Sequence, residues 1–398
     1  MKGWTPARLG DTCTVVGGGT PTRSNTEYFG GSIPWITPKD MKTWEIHRAE
    51  IGITEIGLEN SATRLVPANS VLLVVRSGVL KHTIPIAISR VPVAINQDMK
   101  AIQCKDRLHP DFLARFLKAR SPIILQWVRA TTADNFSIDK LKDLEIPLPP
   151  ISEQRRIAKI LDKADALRAR RRAALTKLDD LTQAIFLDMF GGSASRGWNM
   201  TTIAGIANSV KGSIRTGPFG SQLLHSEFTD SGIAVLGIDN VVANEFRWGD
   251  RRFISEEKYR QLKRYTVRPG DVLISIMGTC GRCAVVPDDI PLAINTKHLC
   301  CMTLDRSKCL PVFLHAYFLQ HPIARRFLAQ TAKGAIMSGL NMGLIEEMPV
   351  PLPPLKLQLE FERKMNASEK IRAAMLISLA KFDSLFASLQ HRAFRGEL

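Results

Sequence analysis

Two stretches, Ile151 to Phe190 and Leu355 to Phe394, contain neither glycine nor proline and repeat apolar residues three or four positions apart. That spacing predicts two long helices. Taking Ile157 as position a, the first reads Ile157, Ile160, Ala164, Leu167, Arg171, Ala174, Leu178, Leu181, Ile185, Asp188 along its a/d series, which is the seam of a coiled coil. The second carries a broader stripe of Phe361, Met365, Met375, Leu379, Phe382, Phe386 and Leu389. Neither helix buries its seam alone, so the two are expected to pair antiparallel. About 36 helical residues at 1.5 Å each would make a spacer of roughly 54 Å. The segments before each helix alternate short β-like runs, such as Val71 to Val75 and Val272 to Ile276, with turn-rich tracts, such as Gly17 to Gly31 and Gly212 to Gly220. They predict α+β globules.

The chain repeats itself. IPLPP at Ile146 to Pro150 returns as VPLPP at Val350 to Pro354, 204 residues later. At the same offset Gln154 matches Gln358, Arg168 matches Arg372, and Leu181 matches Leu385. Ahead of the helices, Ala94-Ile95-Asn96 recurs as Ala293-Ile294-Asn295, and Pro110-x-Phe-Leu recurs at Pro311. The expected organisation is a pseudo-twofold internal repeat. It divides into a globule over 1–146, a central helix over 147–197, a second globule over 198–349 and a C-terminal helix over 350–398.

Composition sharpens this. The 398 residues include 54 Lys and Arg against 38 Asp and Glu, a net charge of +16, so the average surface attracts a polyanion. The tract Phe246 to Arg268 alone holds eight Lys/Arg and five aromatics. Seven cysteines, an odd number, fit reduced thiols better than a disulfide framework. No run approaches the roughly 20 apolar residues of a membrane span and the N-terminus lacks a signal-peptide core, so a cytoplasmic protein without membrane contact is expected.

Taken together, several tracts resemble the DNA-specificity subunit of Type I restriction-modification systems. They are Gly18 to Met41, Ile53 to Gly78, Arg215 to Leu223, Glu256 to Pro287, and the block Ile146 to Asp165 with its degenerate C-terminal copy. The copy departs from the pattern at Leu355-Lys356-Leu357, where Ser152-Glu153 and Arg155 have no counterparts around Gln358. The resemblance implies two target recognition domains joined by two conserved helices in an antiparallel coiled coil. It implies an adaptor that reads an asymmetric, bipartite duplex DNA target with an unread gap. Its partners would be two adenine-methylating modification subunits and restriction subunits. S-adenosylmethionine, ATP and Mg would then belong to those partners, and this chain would need no cofactor. The sequence agrees: it has no Asn/Asp-Pro-Pro-aromatic motif, and Pro218 stands where a phosphate loop beginning at Gly212 would need Lys. Three other readings stand beside this one: a self-sufficient DNA-modifying enzyme, the specificity subunit of a related two-part methyltransferase-nuclease system, and a two-headed structural coiled-coil protein with no DNA role.

Candidate readers are polar residues in or beside predicted loops. In the first globule they are Thr20, Arg23, Asn25, Lys39, Arg76, Asn96 and Gln97. In the second they are Arg215, Thr216, Ser221, Asn240, Arg282, Asn295 and Lys297. Arg, Asn and Gln can make paired hydrogen bonds to base edges, and Lys suits phosphate. Asn96 and Asn295, each after Ala-Ile, equally suit a structural turn. Asn135 to Ser137 and Ser338 to Asn341 precede the two proline motifs and suit either contact or capping. A zinc site at Cys280-x-x-Cys283 with His298, Cys300 and Cys301 is disfavoured, because adjacent Cys300 and Cys301 would face opposite sides of a strand. The expected spacer residues are Ile157, Ile160, Leu167, Leu178, Leu181, Ile185, Phe361, Met375, Phe382, Leu385 and Leu389.

Overall fold

A computed structural model describes residues 4–129, 134–191, 197–333 and 340–398. The chain forms two compact units, Met1–Arg172 with Leu376–Leu398, and Ala173–Met375. Each unit holds one globule and part of both long helices, so the boundaries cut through the helices rather than falling at their ends. Among the described residues no helix is long and apolar enough to cross a membrane.

In the first unit, Cys13–Gly17, Met99–Cys104, Val71–Val74, Ile86–Ser89 and Glu45–Ile46 form one sheet in that order. A second sheet runs Gly52–Ile53, Phe29–Ile36, Val93–Ile95, Leu65–Val66. Its central pair is parallel, with Trp35 opposite Ala94 and Ile36 opposite Ile95. Val71 to Val74 are all buried, as an uninterrupted apolar run demands. The helix Pro110–Leu125 opens with proline at its first position, where no backbone N–H is needed, and buries Phe112, Leu113 and Phe116 in the core.

The second unit repeats the plan. One sheet runs Ile214–Thr216, Leu299–Met302, Val272–Ser275, Cys283–Val285. The other runs Phe228–Thr229, Phe253–Ile254, Ile233–Leu236, Ala293–Asn295, Thr266–Val267. Again the Ala-Ile-Asn strand lies parallel to its neighbour, with Ala234 opposite Ala293 and Leu236 opposite Asn295. A Cβ added at Gly18 would sit 2.0 Å from the Ile95 carbonyl oxygen, and one at Gly217 would sit 2.0 Å from that of Asn295. Only glycine fits where this crossing recurs.

Each unit also joins its globule to a long helix with the same polar clasp. Gln154, fully buried, accepts from the His109 backbone N–H at 2.8 Å and donates to the carbonyls of Arg107 at 2.9 Å and Pro149 at 2.8 Å. Gln358 accepts from the Leu310 N–H at 2.8 Å and donates to Lys308 at 3.0 Å and Pro353 at 2.9 Å. The single glutamine that survives in both proline-led motifs is thus a structural bond between domain and helix.

The helices span Ile151–Phe190 and Leu355–Ala393. Within each unit they pair antiparallel. In the first, Arg156 reaches the Leu398 carbonyl while Arg168 reaches Asp383. In the second, Arg372 pairs with Asp179 while Phe361 packs on Phe186 and Phe190. The expected a positions Ile157, Leu178 and Ile185 turn inward, as do Phe361, Met375, Phe382 and Leu389. The other register of the central helix is displaced by one residue. Leu161, Arg168, Thr182 and Met189 take the inward places instead of Ile160, Leu167, Leu181 and Asp188, and Leu175 shares its place with Ala174. Ile160 is half-buried, Leu167 and Leu181 are about half exposed, and Leu385 likewise yields its place to Phe386.

The physical cause is Arg168. Its guanidinium lies 4.3 Å over the Phe386 ring and donates to Asp383 at 2.6 Å, so a charged side chain with a long apolar stem occupies the seam. Hydrogen bonding from Arg168 holds the Asp383 carboxyl below its ordinary range. A depressed carboxylate stabilises the fold above the unfolded pKa, and that contribution disappears as pH falls through the folded value. Asp383→Asn should therefore flatten the acid limb of a stability-against-pH curve below the usual aspartate range, measured by urea unfolding. An acid limb as steep as that of the wild type would remove Asp383 as its source.

Candidate nucleic-acid interface

In the first unit the loop after Cys13–Gly17, the loop after Phe29–Ile36 and the turn after Val93–Ile95 converge on a cleft of about 500 Å³. Thr20, Arg23, Lys39, Asn96 and Gln97 line it, five of the seven residues expected there. Its floor includes Trp35, which is 1% exposed and donates its indole N–H to the Gly19 carbonyl at 3.1 Å. Arg76 is tied to the same cleft, with its Nε 2.6 Å from Oδ1 of the lining residue Asp98. Asn25 does not line it; its side chain caps the short helix Thr26–Tyr28 by accepting from the Glu27 N–H.

These residues divide into scaffold and display. Asn96 is buried, and its Oδ1 accepts from the Asp98 N–H at 3.1 Å, which fixes the turn. That turn projects Gln97, whose Oε1 accepts the Thr20 hydroxyl. Its amide nitrogen has no partner among the described residues, and an amide N–H can donate to the acceptors that bases present in the major groove. Arg23 and Lys39 are exposed on the rim. Lys39 sits on the short helix Pro38–Asp40, which Asp40 locks by accepting from the Thr37 N–H at 2.9 Å, the Thr37 hydroxyl at 2.8 Å and the Glu50 N–H at 2.8 Å. Asp40, Glu50 and Asp98 are cleft residues that sequence reasoning missed. Thr37-Pro38-Lys39-Asp40 carries a legible signal, since threonine, then proline, then an acid three residues on spells a capped helical turn.

The second unit treats its candidates differently. Arg215 points inward with its side chain only 10% exposed. It pairs with Asp271 at 2.7 Å and donates to the Thr266 carbonyl and Thr303 hydroxyl. Asn240 and Asn295 are buried too. Asn240 accepts from the Gly237 N–H and donates to the Arg247 carbonyl, and Asn295 donates to the Leu299 carbonyl at 2.9 Å. Arg215 and Asn240 direct their hydrogen-bonding groups at the protein, which suits framework roles, whereas Asn295 is held through its amide nitrogen and its buried Oδ1 has no partner among the described residues. Thr216 and Lys297 are half-buried, and Ser221 and Arg282 are exposed.

The tract before the C-terminal proline motif is a cap at Asn341, which accepts from the Leu344 N–H; Ser338 and Gly339 lie outside the described residues. In the other copy Asn135 pairs by backbone bridges with Arg76 and Arg129, and Phe136 joins the core. Cys300 and Cys301 occupy one strand and enter different core clusters, on opposite faces of the sheet. Burial pushes the Cys300 thiol up to about 12, away from the thiolate that metal ligation needs.

Residues 1–177, which contain the whole cleft, match the family described as the Type I restriction modification DNA specificity domain. The chain is 41% identical over 162 residues to the EcoR124I/EcoR124II specificity subunit of Escherichia coli, covering 40% of either chain. It is 28% identical over 341 residues to the Escherichia coli EcoBI specificity subunit, covering 77% of this chain and 70% of that one. The MjaIX specificity subunit of Methanocaldococcus jannaschii is 31% identical over 194 residues, covering 48% and 43%. The match thus spans less than half of the first and third of these relatives. In fold, the chain resembles a type I restriction-modification system chain with a TM-score of 0.64 at 18% identity, covering 100% of this chain and 99% of the other. It also resembles the type I S subunit from M. genitalium, with a TM-score of 0.57 at 16% identity, covering 98% and 96%. These likenesses extend the specificity-subunit fold, two α+β domains and two long helices, across the whole chain.

Proposed function

We propose that this chain is the DNA-reading subunit of a Type I restriction-modification complex and performs no chemistry itself. It binds an asymmetric, bipartite duplex target with a non-specific gap. It recruits two adenine-methylating subunits, which use S-adenosylmethionine, and restriction subunits, which use ATP and Mg. The observation that carries the reading is the cleft of the specificity domain, where Gln97 is pinned through its Oε1, its amide nitrogen has no partner among the described residues, and Arg23 and Lys39 flank it. Donors held in one orientation discriminate base edges, and a rim of cations supplies the sequence-independent attraction of the backbone.

Selection of bound duplexes from a random pool by the purified chain, followed by sequencing, should return a split motif. Arg23→Ala or Gln97→Ala should weaken binding to that motif by about 1 to 3 kcal/mol at one half only, with binding to unrelated duplex nearly unchanged. Exchanging residues 1–146 for those of a relative should replace one half of the motif and spare the other. Enrichment of no motif would overturn the reading, as would methyl transfer by the chain alone.

A further inference from the structure

The second unit contains a groove of about 410 Å³ whose lining includes neither of its exposed candidate readers, Ser221 and Arg282. Lys211, Lys263, Arg264 and Arg268 line it and are all exposed. No carboxylate belongs to its lining. The fifth lining cation, Arg215, is neutralised from beneath by Asp271, and the other four form no ion pair among the described residues. Arg264 is held in place by its own neighbour, stacking 4.7 Å over the Tyr265 ring and donating to its hydroxyl at 2.7 Å.

The groove is built rather than incidental. Its two walls, the turn before Ile214–Thr216 and the segment Lys263–Arg268, are joined through Arg215, which donates to the Thr266 carbonyl at 2.6 Å. Asp271 fixes the same wall by accepting from the Arg268 N–H at 2.9 Å. The internal repeat gives a second, independent observation. At the 201-residue offset that superposes Ser70-Val71-Leu72 on Asp271-Val272-Leu273, the first domain has Ala62, Thr63 and Pro67 where the second has Lys263, Arg264 and Arg268. The shared framework therefore does not require these cations. Val210 is the one hydrocarbon side chain in the lining.

We propose that this groove is a sequence-blind grip on the sugar-phosphate backbone of duplex DNA, separate from base reading; this rests on the DNA-binding reading above. Unneutralised cations spaced along a groove release condensed counterions when they meet phosphates, which gives affinity without discrimination.

The test measures binding of the full chain to random-sequence duplexes as a function of salt. The triple variant Lys211→Gln, Lys263→Gln, Arg268→Gln is compared with wild type and with Lys159→Gln, Lys163→Gln, Arg170→Gln. The latter removes equal charge from exposed positions of the central helix. At about 0.9 per phosphate contact, the groove variant should reduce the slope of log affinity against log salt by about 2.7, so its response between 50 and 200 mM salt shrinks by about 40-fold. The loss should be the same for duplexes of different sequence, and the helix variant should keep the wild-type slope. An unchanged slope in the groove variant overturns the proposal, as does an equal drop in the helix variant or a loss confined to one sequence. Absence of duplex binding by the wild type would instead overturn the DNA-binding reading, and the groove proposal with it.

Discussion

Arg215→Ala should unfold the second unit more readily by about 3 to 5 kcal/mol, because it strands Asp271, which is 2% exposed, without its cation. Asp271 accepts from Arg215, from the Arg268 backbone N–H and from the Thr303 hydroxyl at 2.7 Å, and Cys301 lies 3.1 Å away. Removing the arginine leaves the carboxylate desolvated while its neutral donors cannot balance the charge. Arg215→Lys should recover little, since a point charge does not reproduce a guanidinium that reaches Asp271, Thr266 and Thr303 at once. The double variant Arg215→Val, Asp271→Ser should recover most of the loss. It installs the pair found at the corresponding first-domain positions, Val16 and Ser70, and replacing both members of a buried ion pair is often neutral. Denaturant unfolding followed by probes in each unit separately reads the effect. A variant of unchanged stability but altered DNA preference would restore Arg215 as a base reader.

The clasp glutamines should come next. Gln154→Leu fills similar space but leaves one N–H and two carbonyls without their partner, at a cost of about 3 kcal/mol. Hydrogen exchange should locate the damage, with protection lost first at the His109 amide, and Gln358→Leu should do the same at Leu310. Stability within about 0.5 kcal/mol of wild type would show that backbone packing, not the glutamine, holds each helix to its domain.

Much of this architecture could be read from the residue pattern because it rests on repetition and periodicity. Duplicated proline motifs, Ala-Ile-Asn strands and glycine-free stretches mark local choices that packing then respects. The one-residue shift of the helix seam was not legible. Apolarity alone ranks Leu167 above Arg168, whereas the fold buries the arginine stem because Phe386 and Asp383 satisfy its two ends. The residues that line the first-domain cleft were legible as polar residues beside glycine-rich turns. The second-domain set was not: Arg215 meets its partner Asp271 56 residues away, Asn240 and Asn295 bond within their own turns, and a residue's type does not reveal whether its donors face solvent or the interior.

The clasp addresses only main-chain atoms. His109, Arg107 and Pro149 in one copy are Leu310, Lys308 and Pro353 in the other, yet the three hydrogen bonds keep the same pattern. Such a joint is indifferent to the side chains around it. The side chains of each domain can therefore change while its attachment to the helix stays the same.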